Sequence, residues 1–342
     1  MFNPLNDRGE YDVECLTPSW CEAPLMYVED FVRQCVLFLG NKDERTGKFI
    51  PRATAFIVSI LEGGLGFRYI VTAEHAISAF AEKGWEIYFR SNLINGGVRE
   101  DNWSSAHWYF HPDVGSTDVA VASIDFQPDE EFKNIVLRGG SPERGIAGTA
   151  AFLKANRLGV GDEIFIVGLF KSHHGLKRNV PIVRTGNLAM MRGEPVHAGH
   201  CGYTDAYLVE ARSIAGLSGS PVFIHWQLPE PGVTQFRLLG LMNGHFDITN
   251  LNEDTVVDSE SQVSGGINTG IGVVIPVEKI LETLDQPELV ELRKKALIDH
   301  RKRGAVEDVA KDDPPANDEN PTHREDFTRL VGAAARKPEL KD

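Results

Sequence analysis

Three short stretches of this 342-residue chain carry side chains that could do chemistry together. In Gly216-Leu217-Ser218-Gly219-Ser220-Pro221-Val222, small residues allow a tight turn that exposes the Ser218 hydroxyl. Gly216 lets two amides of that turn converge on one oxygen. In Tyr69-Ile70-Val71-Thr72-Ala73-Glu74-His75-Ala76-Ile77, a strand runs out into a turn that bears one histidine at a barrel edge. In Ser116-Thr117-Asp118-Val119-Ala120-Val121-Ala122, an acid stands just before an apolar run, poised for burial. Hydrolysis by a hydroxyl needs a nucleophile, a neutral base, a carboxylate that fixes the tautomer of the base, and N–H donors for the oxyanion. Ser218, His75 and Asp118 supply the three side chains. Each also has a plain reading: a Gly-Ser turn before a strand, a satisfied structural histidine, a solvated turn aspartate.

The elements that must hold these residues are mostly strands. β-branched and aromatic runs recur with Gly, Asn, Asp or Pro between them, which points to an all-β barrel or sandwich. They are Cys35–Leu39, Ala53–Leu61, Phe67–Thr72, Trp85–Arg90, Val119–Ile124, Glu163–Leu169, Ile182–Leu188, Tyr207–Val209, Pro221–Ile224, Phe236–Met242 and Gly272–Ile275. Apolar spacings of three and four predict helices over Val277–Leu284 and Pro287–Ile298, with Pro287 at a first-turn position. From Arg301 the composition turns polar, and Lys311–Arg324 lacks the apolar surface to fold, so 301–342 is expected to be a disordered tail. Within it, Phe327, Leu330 and Val331 stand at helical spacing in Glu325–Lys337. That segment could dock a partner but reads first as a frayed end.

Taken together, the three motifs resemble the chymotrypsin-like (trypsin-fold) serine peptidases of bacterial type. That family shows Thr-Ala-x-His around its base, Asp-[Ile/Val]-Ala around its acid and Gly-x-Ser-Gly-[Gly/Ser]-Pro around its nucleophile, in the order found here. Further stretches extend the resemblance over residues 31 to 285: Ala53–Val58, Val160–Gly168, Gly240–Gly244 and Asn268–Pro276. It implies an all-β fold of two six-stranded antiparallel barrels, over 31–127 and 156–276, with C-terminal helices at 277–300 and an N-terminal arm at 1–30. It implies a serine endopeptidase acting on protein or peptide substrates through an acyl-enzyme, with no cofactor and no metal. Ser218 would attack, His75 would act as base and then acid, Asp118 would orient His75, and the amides of Gly216 and Ser218 would form the oxyanion hole. Asn243 would sit where the family has a serine touching the acid. A substrate pocket would be lined by Arg212, six positions before Ser218, with Asn243 and His245. Arg212 there would favour an acidic residue before the scissile bond.

Departures from the pattern carry expectations of their own. Glu74 stands where alanine is common and could shift the histidine's pKa. Leu217 replaces the aspartate of zymogen-activated members, and no Ile-Val-Gly-Gly start exists, so activation by cleavage is not expected.

Composition narrows the field further. A formal net charge of −14 argues against nucleic acid or an anionic membrane as partner. No apolar run reaches membrane-spanning length, and Met1–Glu14 lacks a basic start and an apolar core, so a cytoplasmic protein is expected. Its four cysteines, Cys15, Cys21, Cys35 and Cys201, are then expected to be reduced thiols. Cys15 with Cys21 would pair only in an exported form. A metal site from His197, His200 and Cys201, or from His173 and His174, lacks a second ligand pair. A peptide-binding module without catalysis is the alternative on the same fold. An α/β-hydrolase elbow is excluded by Ser220 in place of its second glycine.

Overall fold

The structure is a computed structural model of the chain and describes residues 28, 30–113, 115–139, 146–198, 202–211, 216–227, 234–250, 253–257 and 267–311. The first half is one sheet. Strands β1 (Val36–Lys42), β2 (Phe49–Glu62) and β3 (Leu65–Thr72) form an antiparallel meander. Next come β4 (Tyr88–Asn92), β5 (Val98–Asn102), β6 (Tyr109–Phe110) and β7 (Ala120–Ser123), giving the order β5-β4-β1-β2-β3-β7-β6. An eighth strand, β8 (Ile135–Arg138), runs parallel to β2.

The second half closes on itself. Strands β9 (Glu163–Gly168), β10 (Ile182–Met190), β13 (Tyr207–Glu210), β14 (Pro221–Gln227), β15 (Thr234–Asn250) and β17 (Ile267–Pro276) pair in the ring β14-β9-β10-β13-β17-β15, sealed by β14 against β15. Outside the ring, β11 (Val196–His197) pairs with β12 (Tyr203–Thr204), and β16 (Glu253–Val257) pairs with β15. The protein is therefore mostly β, with one closed six-stranded barrel and several helices. Two barrels were expected, but among the described residues the first sheet shows no closing pair. Its outer strands explain this: β5 is Val-Arg-Glu-Asp-Asn and β6 has two residues, a charged edge and a short one, neither suited to further pairing.

Pleat alternation sorts the core. In β9, Ile164 and Ile166 point into the barrel with Leu188, Tyr207, Val209, Leu217 and Val222. The intervening Phe165 and Val167 face the other way, joining Phe38, Phe56, Val71 and Val121 of the first sheet. The sheet and the barrel thus share one apolar layer, and a site between them rests on rigid packing.

Helices account for the remaining differences from the sequence reading. Between strands lie α1 (Asp30–Gln34), α2 (Glu74–Glu82) and α3 (Ala150–Ala155). The chain leaving Thr72 enters α2 directly, not the turn that its residues suggested. Helix α4 (Val277–Leu284) has the predicted bounds, with Val277, Ile280, Thr283 and Leu284 buried on one face. Helix α5 (Pro287–Lys311) continues past the boundary drawn at Arg301. The stretch after Arg301 is rich in Lys, Arg, Ala and Glu, all good helix formers, so polarity alone does not end the helix. Residues 312–342 and 1–27, including Cys15 and Cys21, lie outside the described residues. Among the described residues no helix is long and apolar enough to cross a membrane.

Candidate active site

His75 is placed by the start of a helix. Ala73 takes the cap position of α2 with extended backbone and offers no side chain to the orphan amides. A carboxylate from the β6–β7 connection does so instead: Asp118 Oδ1 accepts the His75 backbone N–H at 2.8 Å. Its second oxygen, Oδ2, lies 2.7 Å from His75 Nδ1 and accepts Asn243 Nδ2 at 2.6 Å. Asp118 is fully buried, and three N–H donors offset a desolvation that would otherwise be costly. They also fix the imidazole with Nδ1 toward the acid. Glu74 is turned away from this exchange, since its carboxylate takes the Ser78 hydroxyl one turn down the helix.

Ser218 lies in the turn before β14, 4% exposed. Its Oγ donates to Asn243 O at 3.1 Å. Asn243 therefore touches Ser218 and Asp118 alike, through its carbonyl and its amide. A β-bulge makes this possible. Opposite β17, Met242 pairs with Val274 and Gly244 with Val273, so Asn243 is the extra residue and its side chain is re-aimed. The expected contact of Asn243 with the acid is thus made by its side-chain amide.

The turn itself is held from both sides of the seam. Thr54 N–H donates to Ser218 O at 3.1 Å, and Thr54 Oγ1 donates to Gly216 O at 2.7 Å while accepting Leu169 N–H at 2.9 Å. Thr72 Oγ1 in turn donates to Thr54 O at 2.7 Å. Gly219, at φ +79°, has no room for a side chain: a Cβ would run into Thr54 O and Thr72 Oγ1. Gly216 has φ +103°, a conformation that favours glycine. Leu217 fills the barrel core, an apolar anchor for the turn. Leu217 O accepts Ser220 N–H at 2.9 Å, so the trans peptide turns the Ser218 N–H to the opposite side.

Thr54 and Thr72 were missed by the motif reading. Their signal was present as single polar residues inside the buried runs Ala53–Val58 and Tyr69–Ala73, which need internal partners. Of the remaining expected residues, His245 is half-buried on β15, opposite Gly272 and Val257. Arg212, His200 and Cys201 lie outside the described residues. His197 packs its ring against Tyr203, and His174 packs against Phe49. Among the described residues no three His, Cys, Asp or Glu side chains converge as metal ligands would.

No protein-family model matches the chain, and no curated protein does either. Among solved structures it is similar to Deg5, at 14% identity and TM-score 0.40, over 73% of this chain and 87% of that one. It is similar to the HtrA-type protease AlgW with a decapeptide, at 17% and 0.42, over 78% and 65%. A third is an inactive serine-to-alanine form of Rv3671c from M. tuberculosis H37Rv, at 13% and 0.38, over 74% and 86%. These likenesses are remote, and the site is defined by its own contacts.

Proposed function

We propose that this chain is a serine endopeptidase, with Ser218 as nucleophile, His75 as base and then acid, and Asp118 as the carboxylate that orients His75. The observation that carries the reading is the fully buried Asp118 carboxylate, which receives both the backbone N–H and Nδ1 of His75 while Asn243 ties it to the Ser218 turn. The Nδ1 bond that satisfies the buried carboxylate also leaves Nε2 as the acceptor nitrogen of the ring. A base that must accept a proton on Nε2 needs that tautomer.

In this scheme the Ser218 hydroxyl leaves Asn243 O, passes its proton to His75 Nε2 and attacks the peptide carbonyl. The imidazolium then protonates the leaving amine, and an acyl-serine remains until His75 activates a water to release it. The Ser218 and Gly216 amides receive the oxyanion. The eight-stranded sheet takes the part of a first barrel, supplying His75 and Asp118 to the closed barrel that supplies Ser218. The test is labelling with a fluorophosphonate followed by peptide mapping. Label is expected on Ser218, lost in Ser218→Ala and strongly slowed in His75→Ala. Equal labelling of Ser218→Ala would refute the assignment.

A further inference from the structure

The two edges of β15 are filled in an order that bears on what can reach Ser218. One edge pairs with β14 over Thr234–Leu241, and the other pairs with β17 from Gly240 to Ile248. β16 pairs with His245–Asn250, where β17 already holds its own edge at His245, Asp247 and Ile248. A strand has two edges, so β16 lies on the edge that β14 uses upstream. The Ser218 turn stands between them. Met242 N–H donates to Ser220 O, Gly219 N–H to Met242 O, and Ser218 Oγ to Asn243 O. Only Gly244 separates Asn243, where this grip ends, from His245, the first residue opposite β16.

A peptide that offers a carbonyl to Ser218 gains main-chain hydrogen bonds by lying along an unpaired strand edge beside it. Past Gly244 that edge of β15 is taken. β16 is antiparallel to β15, running from Glu253 opposite Asn250 to Val257 opposite His245, and so it advances toward the Ser218 turn as an incoming antiparallel strand would. It is also not a member of the barrel ring, so its removal leaves the ring intact. Two residues join it to β15, which makes it a local hairpin arm.

We infer that β16 is an internal strap over the acyl side of the substrate strand. This rests on the endopeptidase reading above. With β16 in place only the one or two residues ahead of the scissile bond gain main-chain hydrogen bonds, and residues further ahead pair with β15 only where β16 has peeled away. The register of β16 against His245 thus sets how many acyl residues add to binding.

The test uses the full chain as wild type, as Val257→Pro, since proline fits poorly within a strand, and with Glu253–Val257 replaced by Gly-Ser residues. Each is assayed on a pool of N-acetyl amino-acid thiobenzyl esters and on the same pool with further residues added ahead of each. Fluorophosphonate labelling in the same samples counts competent Ser218. Wild type is expected to turn over both pools with similar kcat/KM. Either variant should raise kcat/KM for the longer pool about tenfold or more, the worth of one or two recovered main-chain hydrogen bonds, and leave the short pool unchanged. A wild type that already prefers the longer pool about tenfold, or labelled variants whose length ratio stays at the wild-type value, would overturn the strap and leave the peptidase reading standing. No labelling in any of the three would overturn both.

Discussion

Replacing Thr54 by valine tests whether the nucleophile turn is held from across the seam. The change keeps the side-chain shape and removes one hydroxyl, which donates to Gly216 O and accepts Leu169 N–H inside a fully buried environment. Each partner left unsatisfied costs about 1–3 kcal/mol, so two lost bonds predict roughly 2–6 kcal/mol of stability if the turn stays where it is. For a protein of this size that is a fall in Tm of about 3–8 °C. The turn has a second option: Gly216 tolerates many backbone angles, so its carbonyl can swing to another donor. That relaxation would recover part of the stability and spoil the oxyanion geometry, shifting the loss into the labelling rate. The two readouts therefore trade against each other, and their sum is the prediction. Thermal unfolding and the second-order fluorophosphonate rate are measured on Thr54→Val and on Thr54→Ser, which keeps the hydroxyl and should restore most of both. A Thr54→Val protein with wild-type Tm and wild-type labelling would refute the reasoning.

Ser218→Ala should lower kcat by roughly 10⁶ on any substrate found, and Asp118→Asn by about 10⁴, each with a near-native circular dichroism spectrum; kcat near the wild-type value for either would remove the proposed roles. Gly219→Ala should cost about 2 kcal/mol or more in urea unfolding, because a left-handed φ is joined by a collision with Thr54 O and Thr72 Oγ1; a loss under about 0.5 kcal/mol would show that the turn is not confined. Burial pushes the Cys35 thiol up from 9.0 to about 12, against a smaller lowering by Lys133. The unfolded chain then loses this proton near pH 9 while the folded chain keeps it, so this stability is full below about pH 9 and declines as pH rises towards about 12. Urea unfolding should show wild type losing about 1.4 kcal/mol relative to Cys35→Ala between pH 8 and pH 10, and parallel losses in the two proteins would count against it.

The strands were legible from their composition. Runs such as Ala53–Leu61 and Glu163–Leu169 are β-branched and apolar on both faces, and the structure gives them to β2 and β9 with ends shifted by a few residues. Helix α2 was not legible. It begins at Glu74 without a capping side chain of its own, and its cap is a carboxylate 43 residues downstream. Only a tertiary contact could have announced it. For the same reason the sequence could propose Asp118 as the partner of His75 but could not show that it also starts the helix that carries His75. Thr54 was hidden because its hydroxyl serves residues 115 and 162 positions away. β16 escaped notice because Glu253–Val257 carries two acids in five residues, a composition that reads as loop until pairing with β15 is known.

Four polar contacts of the site cross from the sheet to the barrel. Asp118 and Thr54 belong to the first half, and their partners Asn243, Ser218, Gly216 and Leu169 belong to the second. A second polar joint lies away from the nucleophile. Buried Arg90 of β4 donates to Asn179 Oδ1 at 2.7 Å and to Leu176 O at 3.0 Å, while Asn179 returns a bond to Arg90 O at 2.6 Å. Both joints connect to the segment between β9 and β10, through Leu169 at one end and Asn179 at the other. Sliding the halves apart would strand a guanidinium, a carboxylate and several main-chain groups in a water-poor layer, at about 1–3 kcal/mol for each neutral group and more for the charges. An apolar seam of the same area would slide at far lower cost, because one methyl contact replaces another. The buried polar groups therefore fix the register between sheet and barrel, and that register sets His75 and Ser218 relative to one another.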